Sequence, residues 1–345
     1  MNKKKVIFDC DCTYGVKGCD VDDGMALMYL LSEPSVELIG ILTTYGNSRE
    51  EIVYAALKNL LFTLGREDIP VLRGGEKPGA LQSEAANFLV DASARFGEEL
   101  SLLCTGSVTN LGTALRQDAG CLSRIREQVF MGGITELLRF RKRIMDELNF
   151  SCDPKASLAA LENGRRTSVM TGNNCLRVLF TKEDYRSRFG DGSAIGNFIR
   201  DTTDYWFLDN EEVYGIPGFY NWDITAAAYL CHPELFTDEW DDFRLSEADL
   251  SHGFLRRAEC GCSGKADKNG FSKQIDKNEF LRKADENSVS NTVHLNLPRV
   301  RDPELFKDAL FSALGRLSLP EPVRWHAPEI GQSGKENGTP FPLKC

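Results

Sequence analysis

Runs of apolar and β-branched residues alternate with helix-period segments along the first two-thirds of the chain. Val6-Ile7-Phe8 is too apolar for a surface strand and predicts a central strand of a buried sheet, Val6–Asp11. Further strands are predicted at Val36–Thr44, Ile69–Arg73, Ser101–Gly106, Gln128–Met131 and Thr167–Thr171. Between them, helices are predicted at Asp22–Ser32, Arg49–Leu64, Ser83–Arg95, Asn110–Arg116 and Pro154–Asn163. Two more follow at about Ala194–Leu208 and Trp222–Leu230, then a strand at Val293–Leu297 and a closing helix at Pro303–Leu314. This β-then-α alternation predicts an α/β protein with a mainly parallel open sheet and helices on both faces.

Residues 240–292 are polar and lack a firm period, so they read as a long excursion from that pattern. The expected organisation is one domain over residues 1–318 with a flexible, proline-containing tail over 319–345. No Gly-rich dinucleotide fingerprint or Walker loop follows a predicted strand.

Composition narrows the function classes. A net charge of −10 leaves no concentrated basic surface for nucleic acid or an anionic membrane. No apolar run reaches the length of a transmembrane helix, and Lys3-Lys4-Lys5 leads straight into a strand without a signal-peptide core. Eleven cysteines, spread without paired C-x-x-C spacing, read as reduced thiols in a cytoplasmic protein. Cys10, Cys12 and Cys19 are expected to pack, and Cys260-x-Cys262 to be incidental loop thiols.

The chemistry concentrates at the start. Asp9, Asp11, Asp20, Asp22 and Asp23 crowd the first 23 residues, where a buried strand ends and a helix begins. Asp22 and Asp23 could simply complement a helix N-terminus. That leaves Asp9 and Asp11 at the carboxyl end of a central strand, where open α/β sheets bind ligands. Like charges this close repel unless a cation or hydrogen-bond donors neutralise them, and all-oxygen ligands point to calcium or magnesium.

Three further segments share that position: Thr105-Gly106-Ser107-Val108-Thr109-Asn110, Met131-Gly132-Gly133 followed by Glu147-Leu148-Asn149, and Asn221-Trp222-Asp223. In this order the four segments resemble the inosine–uridine nucleoside hydrolase family, with its D-x-D-x-G-x-D-D opening, over roughly residues 5–315. The resemblance implies a nucleoside hydrolase fold on a Rossmann-like core. It also implies cleavage of ribonucleosides to ribose and free base by a calcium-bound water, and a homodimer or homotetramer. It places Ca²⁺ on Asp11, Asp23, Asp223 and the carbonyl of Thr109, with Asp11 as base and Asp9 supporting the metal shell. Asp22, Glu147 and Asn149 would hold the ribose hydroxyls and Asn47 would sit near the reacting carbon. Trp222, where many members carry His, resembles the purine-preferring branch, in which an aromatic ring stacks on the base.

The chain departs from the family pattern in three places. Asp11 and Asp22 are eleven residues apart (22 − 11) rather than four, so the Cys12–Val21 insertion must bulge, and a lid is one reading of it. The basic run Arg139–Arg143 stands where members carry a ribose-contacting Asn, and Lys77–Glu84 lacks a base-lining His or Trp. Trp222 alone reads better as a core residue at a helix start, and beside Asp223, Tyr220 and Asn221 equally well as a pocket wall; Thr109-Asn110 also reads as an N-cap pair.

Two other functions fit parts of the pattern. Phe8-Asp9-Cys10-Asp11-Cys12-Thr13 matches the D-x-D-x-T opening of haloacid-dehalogenase-like phosphatases, with Asp9 as nucleophile. That scheme lacks its late acidic motif, because Ile195 stands at the required offset from Asp191. A non-catalytic nucleoside-binding protein on the same fold is the third reading.

Overall fold

The apolar run at Val6 forms β1 (Lys4–Cys10), buried from Val6 onward near the middle of a nine-stranded sheet. The computed structural model describes residues 3–190, 192–258, 292–320 and 325. In chain order β1 is followed by β2 (Val36–Thr43), β3 (Val71–Leu72), β4 (Leu100–Cys104) and β5 (Glu127–Met131). Next come the hairpin β6 (Leu138–Arg139) and β7 (Ile144–Met145), then β8 (Thr167–Met170) and β9 (Phe236–Thr237). β10 (Trp240–Arg244), β11 (Arg256–Arg257), β12 (Thr292–Asn296) and β13 (Arg299–Val300) complete the set.

The sheet order is β11-β10-β12-β8-β5-β4-β1-β2-β3. From β12 to β3 every pairing is parallel, and only the β10 and β11 edge runs antiparallel. Each parallel crossover needs a helix, which accounts for the alternation in sequence. The expected α/β architecture is the observed one.

Side-chain alternation divides β1 between two cores. Val6, Phe8 and Cys10 join a cluster built with the helices Asp22–Ser32, Trp222–Cys231 and Pro303–Leu314. Ile7 joins a second cluster with Glu84–Phe96, Thr109–Gln117 and Pro154–Asn163 on the opposite face. Both faces are therefore covered, as a parallel sheet requires.

Two expectations need correction. Residues 240–258 are not an excursion: β10 extends the sheet, a short helix spans Glu247–Leu250, and β11 closes the edge. Only Phe243 of β10 is buried, so a strand near the sheet's edge with little buried surface looked like a loop in sequence. The rest of the predicted excursion, 259–291, lies outside the described residues, as does most of the predicted tail.

The Cys12–Val21 insertion is also not an exposed lid. Cys12, Thr13, Tyr14 and Val16 are fully buried. Gly15 and Gly18 adopt φ of 81° and 82°, the left-handed turns that let the chain fold back on itself. Tyr14 packs against Gly24 and Phe198 and shares a 2.5 Å hydrogen bond with Thr202. Tyr205 Oη donates to the carbonyls of Val16 (3.2 Å) and Cys19 (2.9 Å). The insertion is thus moored to the long helix Ala194–Val213. No described helix is long and apolar enough to cross a membrane.

Candidate active site

β1 delivers two carboxylates to the carboxyl edge of the sheet: Asp9 within the strand and Asp11 just past its end. Asn110 Nδ2 donates to Asp9 Oδ2 (3.1 Å) and to the Thr43 carbonyl (2.9 Å), tying β1 to β2. Asp9 Oδ1 is buried with no hydrogen-bond partner among the described residues. Asn47 clamps Asp11 from the end of β2: its backbone N–H lies 2.6 Å from Oδ2 and its Nδ2 lies 3.3 Å from Oδ1. Gly46 makes that clamp possible, because a Cβ there would sit 2.0 Å from Asp11 Oδ2. Gly106 allows a similar approach behind it, with a Cβ position 2.8 Å from the Asp11 nitrogen.

The start of the helix Asp22–Ser32 meets the start of the helix Trp222–Cys231 beside this pair. Carboxylate oxygens of Asp22, Asp23 and Asp223 all lie within 4.8 Å of one another. The Asp223 backbone N–H donates to Asp22 Oδ2 (3.2 Å), and Thr105 Oγ1 donates to Asp23 Oδ1 (2.6 Å). Asp11 lies close enough to Asp23 for its charge to act on the Asp23 carboxyl. Asp23 Oδ2, like Asp9 Oδ1, is buried without a partner among the described residues.

Burial dominates the acidity of this cluster. It pushes Asp11 up to about 7, and it pushes Asp9, Asp23 and Asp223 well above the ordinary carboxylate range. The charges that act on these groups are other carboxylates: Asp11 and Asp22 on Asp23, and Asp22 and Asp23 on Asp223. Converging oxygen donors and an orphaned carboxylate oxygen, with no compensating cationic side chain among the described residues, fit a hard divalent cation. Asp22, Asp23 and Asp223 could hold it directly, with Asp11 beside Asp23.

The structure redistributes some of the expected roles. Thr109 does not face the acids: its Oγ1 donates to Asp153 (2.8 Å), and its carbonyl accepts from Thr113 Oγ1 (2.9 Å) inside the helix. Thr105, directly after β4, is the threonine that reaches Asp23, so the expected Thr109 carbonyl ligand is corrected to a Thr105 contact. The signal was available, since Thr105 follows β4 as Asp11 follows β1. The N-cap reading of Thr109-Asn110 also fails, because Val108 occupies the cap position without a side-chain bond.

Asn149 is brought to the site. Its Nδ2 donates to the carbonyls of Thr105 (2.8 Å) and Met131 (2.9 Å), which leaves Oδ1 as an acceptor. Glu147 accepts backbone N–H bonds from Gly133 (3.0 Å), Phe150 (2.8 Å) and Ser151 (2.9 Å). Burial still raises its pKa against those three donors. One acceptor position remains of the roughly four a carboxylate offers.

Trp222 is half-buried against the first core, with its ring 5.2 Å from that of Tyr220. Tyr220 stands 5.9 Å from Phe140, and Phe140 stands 5.8 Å from Tyr214. Phe140 belongs to the unexpected β6–β7 hairpin, which the Arg139–Arg143 run forms. Lys142 Nζ donates to the carbonyls of Glu211 (2.6 Å) and Glu212 (2.9 Å), and Arg141 pairs with Glu211 (2.8 Å). Cations here complement the carboxyl end of the helix Ala194–Val213. The basic run therefore works as an anchor that completes an aromatic row. Two described histidines stand elsewhere: His232 lies between Glu33 and Glu234, and His294 on β12 pairs with Asp242 on β10.

The profile of the inosine-uridine preferring nucleoside hydrolase family matches residues 6–289. The chain belongs to this family. It is 24% identical over 280 residues to a probable uridine nucleosidase 2 of Oryza sativa subsp. japonica, a match covering 73% of this chain and 81% of the relative. A plant nucleoside hydrolase, PpNRh1, superposes with a TM-score of 0.73 at 20% identity, covering 90% of this chain and 98% of the other. A purine-preferring ribonucleoside hydrolase from Gardnerella vaginalis gives a TM-score of 0.70 at 20% identity, covering 91% and 99%. For this nucleoside hydrolase the phosphatase alternative falls away. Asp9, its required nucleophile, is fully buried and bound to Asn110.

Proposed function

We propose that this nucleoside hydrolase cleaves the N-glycosidic bond of ribonucleosides, purine nucleosides preferentially, giving ribose and free base with calcium at the aspartate cluster. The observation that carries the proposal is the convergence of Asp11, Asp22, Asp23 and Asp223 at the sheet's carboxyl edge, one residue from Trp222. Calcium bound there would supply Lewis acidity that lets a water ionise near neutrality.

Asp11 would be the base that receives a proton from that water, a reading supported by the two Asn47 contacts that fix the direction of its carboxylate. Asp22, the free acceptor of Asn149 and the remaining acceptor position of Glu147 would orient the ribose hydroxyls. Bond cleavage builds positive charge on the sugar ring, which the buried carboxylates stabilise. Trp222 would stack on the leaving base, and Tyr220 and Phe140 extend that wall outward. The relatives' names point to both pyrimidine and purine substrates. The broad aromatic wall favours the larger base.

The test is ribose release from inosine, guanosine, adenosine and uridine, with calcium or with a chelator. Calcium-dependent release, faster for purines, is the expected result. Faster uridine cleavage would overturn the purine preference. Nucleoside binding without release from any of the four would overturn hydrolysis itself. The proposal includes a homodimer or homotetramer, which light scattering would reveal.

A further inference from the structure

Three arginines gather at the end of the sheet opposite the aspartates. Arg126 immediately precedes β5, and Arg165 and Arg166 precede β8, so all three lie at the amino ends of parallel strands. With Glu98, Trp240 and His294 they line an open cavity of about 510 Å³. The aspartate cluster lies at the opposite, carboxyl end of the parallel strands, beyond β1, at least roughly 17 Å away for a five-residue strand.

The cavity's chemistry is unusual for a chain of net charge −10. Among the described residues its one lining carboxylate is Glu98, which pairs with Arg165 and whose carbonyl accepts from Arg126 Nε at 2.7 Å. The guanidinium of Arg166 lies 6.0 Å from the ring centre of Trp240. Trp240 in turn stacks on His294, with 5.3 Å between ring centres and 16° between planes. Asp242 holds Nδ1 of that imidazole (2.8 Å), which fixes the ring's plane. The described cavity therefore sets three guanidinium groups against one carboxylate, beside a pre-stacked aromatic pair that is open to solvent.

We propose that this cavity binds a phosphate group, free or carried on a small molecule. Guanidinium forks match phosphate oxygens two at a time, and ordering costs little where the rings already hold Arg166 and each other in place. The Trp240–His294 pair supplies a flat wall for whatever the phosphate carries. The aspartate cluster takes no part in this recognition, so the site stands apart from the hydrolase chemistry.

The experiment is isothermal titration of the intact protein with inorganic phosphate, ribose 5-phosphate and adenosine 5′-monophosphate. It is repeated on the double variant Arg165→Glu/Arg166→Glu and on Trp240→Ala. Wild type should bind at least one probe, and the double variant should bind it about tenfold more weakly or worse. Its melting temperature and ribose release should stay unchanged, because both arginines are exposed and far from the aspartates. If Trp240→Ala weakens the nucleotide more than inorganic phosphate, the natural ligand carries a ring. If it weakens both alike or neither, phosphate alone is the recognised group. No heat from any probe at about 10 mM would overturn the proposal, as would undiminished affinity in the charge-reversed variant.

Discussion

Replacing Asp23 with Asn should stabilise the metal-free protein while abolishing its response to calcium. The substitution keeps the shape and keeps an oxygen to accept the Thr105 hydroxyl (2.6 Å). It removes one charge from a group of oxygens lying within 4.8 Å of one another. At an effective dielectric constant near 20, two unit charges at that distance repel by about 3.5 kcal/mol. Partial protonation relieves much of that, because burial and neighbouring carboxylates raise the pKa values of Asp23, Asp223 and Asp11. The net gain for the metal-free variant at pH 8 should be on the order of 2 kcal/mol, or about 3 °C in Tm for a chain this long.

The sign of the pH dependence follows from the raised pKa values. The folded state holds these protons more tightly than the unfolded one, so the stabilising contribution is complete below the unfolded value of 3.8. It is lost as pH climbs towards the folded values. The difference between variant and wild type should therefore vanish near pH 4. Thermal melts in chelator at pH 4 and pH 8, repeated at pH 8 with calcium, make the assay. Calcium should raise the wild-type midpoint well above that of the variant, reversing the order. A metal-free variant less stable than wild type at pH 8, or equal calcium stabilisation of both proteins, would refute the electrostatic reasoning.

Gly46→Ala should cut ribose release at least tenfold, because the new methyl would lie 2.0 Å from Asp11 Oδ2 and turn that carboxylate away from Asn47, at a backbone φ of 157° that itself favours glycine. Undiminished kcat would refute that placement. Trp222→Ala should raise KM for inosine severalfold while sparing an activated nitrophenyl riboside, whose leaving group needs no stacking. Equal losses on both substrates would assign Trp222 to packing alone. His232, pushed up to about 9 chiefly by its hydrogen bond to Glu33, should support the fold below pH 6.5 and lose that support as pH rises through 9. Its side chain is about a third exposed, so the effect should be only about 1 kcal/mol, and His232→Gln should flatten the fall in Tm between those values.

The parallel core was legible because its inner strands, β1 and β4 above all, are buried on both faces and read as largely apolar runs. Aspartates just beyond the end of such a run mark the edge of the sheet where a ligand enters. What escaped was structure whose stabilising partners lie far away in sequence. The strand Trp240–Arg244 has a single buried side chain, and the Leu138–Met145 hairpin holds its place through Lys142 and Arg141 on the end of a distant helix. The threonine error has the same origin. Thr105 and Thr109 are four residues apart, and only the geometry of the strand's end shows which hydroxyl meets Asp23. The three backbone donors on Glu147 were equally hidden, because a carboxylate in sequence does not declare what it already accepts.

The buried insertion ahead of Asp22 has a consequence for exchanging parts between relatives. Tyr14 fills space between Gly24 and Phe198, and a Cβ on Gly24 would lie 2.3 Å from its ring. Replacing the insertion with a four-step connection would leave a void the size of a tyrosine ring against the very turn that carries Asp22 and Asp23. By analogy with removing a buried aromatic side chain, that void would cost about 3–5 kcal/mol. A short-loop chimera should recover only when Gly24 and the facing positions Phe198 and Thr202 are enlarged in the same step. Insertion, glycine and helix face therefore form one heritable block, to be transplanted whole.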